Sequence, residues 1–425
     1  MKRLIVYTVI LVLALGCVEL FEFEARDATG ILVVETTLTD ELQKHIVLLS
    51  RAANLENVNI DARDTLDVSR PIVRTVFERI NPEIGARVTL IDGDGTILDF
   101  EETGEGVYES VNSFALMQGH RYQLQISTSN NETYESNFES MVGKSVINDV
   151  YSERGLSENG EEGVFVYVDG TDSMRQSDYF RYNFEETYKI IAPNFTGKEL
   201  EIIREEQVFL EDGTILYPDA RVATVMEEEQ VCYNSAKSKS INLTNTNSLF
   251  GRDIKRHLVR YLGKSNPIIS HRYSILVEQY VINSDAYIYY QNLSNFSQSE
   301  SVFSSVQPGF IEGNLRRTDV EDGVVLGYFE VGSISRQRLF FNYTDFFPGE
   351  TLPPYFGNTN CTRIIAPSLG NPERDGPQPL GCPEPALIRR VKSNEISYFG
   401  ENDDPGECEG PYLMTPSICA DCTLL

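Results

Sequence analysis

The sequence predicts a mostly β protein: an N-terminal Ig-like or transthyretin-like β-sandwich, a larger antiparallel β-domain with one or two short helices, and a disulfide-rich C-terminal segment. Three observations predict it. Short runs that alternate polar and apolar residues fill the first third, longer aromatic runs fill the middle, and five of the seven cysteines follow residue 360. At 425 residues and 48.0 kDa the chain exceeds one ordinary domain. Its 41% hydrophobic content, with 22 Tyr and 22 Phe, supplies material for more than one core.

Residues 1–16 read as an export signal. Lys2 and Arg3 form a basic head, Leu4 to Leu15 an apolar run too short to span a bilayer, and Gly16 stands before Cys17. This arrangement resembles a bacterial lipobox, with Ala14 where Leu is usual, and makes Cys17 the expected lipidation site and mature N-terminus. Residues 17–30 form an acidic tether carrying Glu19, Glu22 and Glu24. Residues 31–143 are assigned to the sandwich. Tyr122, Leu124 and Ile126 alternate with polar neighbours, and Ala86 to Ile91 runs into Asp92-Gly93-Asp94-Gly95 before Thr96-Ile97-Leu98 returns. The Asp-Gly run reads as a hairpin turn, because it lacks the glutamate that completes an EF-hand loop.

Residues 144–350 are assigned to the second β-domain. Phe180, Tyr182 and Phe184 alternate with polar residues, whereas Arg272 to Val277 and Val324 to Phe329 read as strands buried on both faces. One helix is expected from an N-cap at Ser284, with Tyr287, Tyr290, Leu293 and Phe296 along its buried side. Residues 351–425, rich in Pro and Gly, are expected to lack a core of their own and to depend on covalent staples. Cys232, Cys361, Cys382, Cys408, Cys419 and Cys422 are the disulfide candidates; six cysteines outside the cytosol suit three bridges of open connectivity. Zinc on Cys382, Cys408, Cys419 and Cys422 is the minority alternative, since the spacing fits no standard module.

Composition and motif exclude several functions. A formal charge of −28 repels phosphate backbones, and removal of Lys2 and Arg3 makes it two units more negative. There is no Gly-x-Ser-x-Gly elbow and no His-Glu-x-x-His, and Leu258 stands where a phosphate loop ending in Gly263-Lys264-Ser265 needs glycine. The four histidines, at 45, 120, 257 and 271, show no metal-ligand spacing to one another. No catalytic residue, metal or cofactor is therefore assigned beyond the lipid at Cys17, although a carboxylate pair of the glycosidase kind is a matter of distance that sequence does not give.

A family resemblance rests on eight blocks: Leu32-Val33-Val34-Glu35, Leu49-Ser50-Arg51, Gly85 to Val88, Tyr182 to Thr187, Arg272 to Gln279, Gly313-Asn314, Val325 to Phe329 and Asp421-Cys422-Thr423. Together they resemble domain-of-unknown-function family 4249 over nearly the whole mature chain. The chain departs from its relatives in having no Trp, with Tyr233 after Cys232 where Trp is common, and in ending soon after Cys422. The resemblance implies a Bacteroidota outer-membrane lipoprotein encoded beside a TonB-dependent receptor, and a role as the extracellular, non-enzymatic partner of that transporter barrel. In that setting Glu19, Glu22 and Glu24 resemble the signal that carries lipoproteins to the cell exterior. The alternative is a surface hydrolase or glycan-binding protein acting before uptake.

Overall fold

The structure, a computed structural model, describes residues 30–52, 81–171, 178–224, 230–247, 253–298, 311–321, 323–356, 361, 364–366, 385–400 and 412–422. Cys17, Glu19, Glu22, Glu24, Cys382 and Cys408 lie outside them.

The predicted alternation builds the first sandwich from β1 (Leu32–Thr39), β2 (Ile46–Arg51), β3 (Asn81–Pro82), β4 (Arg87–Asp92), β5 (Ile97–Gly104), β6 (Val107–Ser110), β7 (Tyr122–Ser127) and β8 (Thr133–Ser136). In β7 the three residues read as inward, Tyr122, Leu124 and Ile126, are buried and their neighbours half-buried. The Asp-Gly run closes the β4–β5 hairpin, where Asp92 N donates to Thr96 O at 2.9 Å. Two strands from much later in the chain complete this sheet. Of these, β20 (Leu315–Arg317) pairs with β8, and the first half of β21 (Leu326–Asn342) runs parallel to β1, from Val33 opposite Leu326 to Thr39 opposite Gly332. Leu315, Val325, Phe329 and Val331 therefore join Leu32, Val34, Leu90 and Leu124 in one core.

Gly313-Asn314 joins the two ends of the sheet. Asn314 accepts from Phe329 N and donates to Phe329 O, both at 2.8 Å, and Gly313 packs so close to Gly327 that a Cβ would collide with the Gly327 carbonyl oxygen. Gly327 itself holds φ at +112°, and a side chain there would meet the Val34 carbonyl oxygen.

The second domain stacks two layers. One is the sheet β16 (Val231–Lys237), β11 (Tyr179–Ile191), β19 (Arg272–Ile282) and the second half of β21, with β17 (Asn242–Asn245) also on β11. The other is β18 (Ile254–Gly263), β10 (Glu162–Thr171) and β9 (Val146–Leu156). Val164, Val166, Phe180, Tyr182, Tyr273, Ile275 and Phe341 fill the space between them. Two hairpins depart from this body, β12 (Lys198–Arg204) with β15 (Asp219–Thr224), and β13 (Val208–Phe209) with β14 (Ile215–Leu216).

The helix α1 (Ser284–Gln298) lies on the outer face of the four-stranded sheet, at the end nearest the first sandwich. Its cap is Asn283 rather than Ser284, since Asn283 Oδ1 accepts from Ala286 N at 2.7 Å and Ser284 already occupies the first helical turn. Its buried side carries Ala286, Tyr287, Tyr289 and Tyr290 against Tyr280, Ile282 and Tyr328. Phe296, expected on that side, is 48% exposed. Beneath α1, Arg181 pairs with Glu330 at 2.6 Å, reaches Thr37 Oγ1 at 3.2 Å, and lies 4.4 Å and 5.0 Å from the Tyr280 and Tyr290 ring centroids. Burial opposes the guanidinium charge, but Glu330 and the two tyrosines hold its pKa above the usual value.

After β21 come α2 (Tyr343–Phe346), β22 (Ile364–Ala366), α3 (Pro385–Lys392), β23 (Ile396–Tyr398), β24 (Tyr412–Pro416) and α4 (Ser417–Ala420). Among the described residues this segment has no core made from its own residues alone, as expected. Leu387, Ile396, Tyr398 and Met414 form a small cluster, but they do so with Leu200 and Ala220 of the β12–β15 hairpin, a partnership that short elements of three to eight residues do not announce. Disulfide Cys232–Cys422 fastens the tail to the second domain across 190 residues of sequence, and Cys361–Cys419 closes a loop of 58 residues within the tail. Cys419 and Cys422 thus have separate cysteine partners, which removes both from the alternative zinc set.

Candidate ligand-binding groove

The outer face of the four-stranded sheet is only half covered. Arg272, in a run read from the sequence as buried on both faces, is exposed because α1 covers the Tyr280 end and stops short of this one. What remains open is a groove of about 870 Å³ floored by β16, β11, β19 and β21 and walled by Ser270, His271, Tyr343, Thr344 and Leu352.

Strand register fixes what the floor presents. Lys189 stands opposite Tyr233, and Arg272 opposite Asn342. The pairing of Tyr188 with Tyr273 sets the next two residues, Lys189 and Arg272, side by side on adjacent strands. The row therefore reads Tyr233, Lys189, Arg272, Asn342. The neighbouring row reads Ser235, Thr187, Ser274, Phe340. Arg338, two residues before Phe340, donates to Ser274 Oγ at 2.8 Å, and the Arg272 guanidinium lies 5.1 Å from the Phe340 ring centroid. Tyr233 is 66% exposed and Phe340 52% exposed. Burial, followed by the charge of Lys189, lowers the His271 pKa, so near neutral pH that ring adds no charge of its own.

The electrostatics of the groove invert those of the chain. No carboxylate is among the residues lining it, and among the described residues Lys189, Arg272 and Arg338 make no ion pair. Elsewhere arginines are committed: Arg51 to Glu83 and Glu132, Arg260 to Glu186, Arg317 to Asp319. Like charges on directly neighbouring strand positions destabilise a sheet. Two cations held side by side without a counter-ion, in a chain with 64 acidic and 36 basic residues, make a site that stability alone does not favour.

The cysteines bear on the same site. Cys232 turns toward the core and bonds Cys422, which leaves its neighbour Tyr233 on the outer face at the groove rim. Sequence reasoning singled out Tyr233 only as standing in a usual Trp position, and did not find Lys189, Arg338 or Phe340. Their signal is the cross-strand register, which appears only once β16, β11, β19 and β21 are aligned.

Among the described residues one group has the geometry to hold a metal: the ligand atoms of Asp92, Asp94 and His120 lie within 4.8 Å of one another. The hairpin-turn reading of the Asp-Gly run stands, and His120 Nδ1 lies 2.9 Å from Asp92 Oδ2, tying the loop before β7 to that turn. His45 and His257 have structural partners. His45 Nε2 lies 3.1 Å from Phe114 O, and His257 stacks on Tyr182 with ring centroids 4.6 Å apart.

The model of the family described as Domain of unknown function (DUF4249) matches residues 18–338, from β1 through most of β21. The chain belongs to that family. The match takes in the whole sheet that floors the groove apart from the last residues of β21, Phe340 and Asn342 among them, and leaves the stapled tail of this DUF4249 member outside. No curated protein matches it.

Proposed function

We propose that this DUF4249 protein is a lipid-anchored, non-catalytic binding protein at the outer face of the outer membrane, working beside a TonB-dependent transporter barrel. The observation that carries the binding role is the uncovered groove with two exposed rings and three cations that make no ion pair among the described residues. A surface built only for stability would pair or cover such groups. The anchor rests on Cys17 behind its apolar run, and the barrel on what the family blocks imply. A strongly negative chain gains nothing from general attraction to an anionic membrane, so docking to a barrel needs a local apolar patch. The β13–β14 hairpin offers one, with Val208, Phe209, Leu210 and Ile215 exposed together.

Affinity purification of the full chain from native outer membranes, read by mass spectrometry, tests the partnership. A β-barrel is expected to copurify and to be lost in the double variant Phe209→Asp, Ile215→Asp. Cys17→Ala is expected to move the protein out of the membrane fraction. Copurification of no barrel overturns the partnership, and a Cys17→Ala variant that stays with membranes through a high-salt wash overturns the anchor.

A further inference from the structure

We infer that the groove binds an acidic saccharide, a sugar chain with isolated carboxylate or sulfate groups, and this rests on the binding role proposed above. Charge complementarity selects an anion: Lys189 and Arg272 are adjacent, Arg338 is two rows away, and no carboxylate is among the lining residues. The overall charge of −28 limits which anion, because a dense polyphosphate or polysulfate is repelled by the rest of the molecule while a ligand with few, spaced charges meets mainly the local cations.

The remaining lining separates a saccharide from an acidic peptide. The floor is a sheet face, and the backbone groups of β11 and β19 are engaged in ladders on both sides. An extended peptide lying across the floor therefore finds no main-chain partners on β11 and β19, and strand addition is confined to the outer edges of β16 and of the second half of β21. What the groove does offer are side-chain hydroxyls and an amide, from Thr187, Thr344 and Asn342, together with the exposed rings of Tyr233 and Phe340. Hydroxyl-rich rings with apolar C–H faces use such a surface fully: the rings stack, the hydroxyls exchange hydrogen bonds, and the acid group meets the guanidinium.

The experiment is calorimetric titration of the full-length protein with galacturonate, glucuronate and mannuronate oligosaccharides, with κ-carrageenan oligosaccharides carrying one sulfate per disaccharide, with methyl-esterified galacturonate oligomers, and with oligoglutamate. At least one acidic saccharide is expected to bind, with the carboxylate and sulfate arms telling which acid is preferred; the methyl esters and oligoglutamate are expected to bind at least about tenfold more weakly, the loss of one charge-assisted bond. Lys189→Ala with Arg272→Ala is expected to weaken binding by about 30-fold or more, and Phe340→Ala by about tenfold, with unchanged circular dichroism. Failure of every acidic saccharide to bind overturns the inference, as does equal binding of the methyl esters or oligoglutamate, or wild-type affinity in the double variant. Barrel copurification is read separately, so a barrel without saccharide binding removes this inference and leaves the partnership standing.

Discussion

At the scale of single residues, His257 gives the protein a defined response to acid. Burial, with the ring stacked on Tyr182, lowers its pKa from the ordinary 6.5 to about 4. A proton therefore binds the unfolded chain first. Stability from this group is complete above pH 6.5 and declines as pH falls toward 4, by roughly 2–3 kcal/mol. His45 and His271, also lowered by burial, act in the same direction. Urea unfolding at pH 7.5 and pH 5 is expected to show a smaller drop in His257→Phe than in the wild type. Gly327 is a second sensitive residue: its φ of +112° and its approach to the Val34 carbonyl leave no space for a side chain. Gly327→Ala is expected to cost at least about 3 kcal/mol in denaturant unfolding.

Among the elements, β16 depends on its disulfide. Among the described residues it pairs only with β11, and Cys232–Cys422 pins it from the core side. A loop of this length implies stabilisation of about 5 kcal/mol in the chain-entropy picture. Reduction, or Cys232→Ser, is expected to raise amide hydrogen exchange in Val231–Lys237 while sparing β4 to β7, and no change in β16 would contradict this assignment. The strands were also where sequence was most informative. Tyr122, Leu124 and Ile126 announce an inward face by period alone, and Asp92 to Gly95 announces its turn. Other features depend on partners far away in the chain. Arg272 looked buried because its strand is apolar, and only the stopping point of α1 exposes it. Leu387 and Met414 looked coreless because Leu200 and Ala220 complete their cluster.

For the whole molecule, β21 decides cooperativity. Its first half belongs to the first sandwich and its second half to the second domain, so neither core is complete without it. A single calorimetric transition is expected, and a chain truncated after residue 312 is expected to lose protection in β1 to β8 as well as in the second domain. Two resolved transitions, or a protected first sandwich in the truncated chain, would show the halves to be independent. Two family blocks, Gly313-Asn314 and Val325 to Phe329, acquire a physical reason here: they join the two ends of the first sheet and pass the strand onward.

The same strand sets a timetable for folding. A chain leaving the ribosome, or emerging from an export channel, presents β1 first, yet the parallel partner of β1 arrives about 290 residues later. Until then β1 has β2 on one side and an open edge on the other, so the emerging half is a template for the wrong strand, its own or a neighbour's. Transit in an unfolded, escorted state suits such a topology, because a chain that cannot complete its first domain early also cannot jam a narrow passage with it.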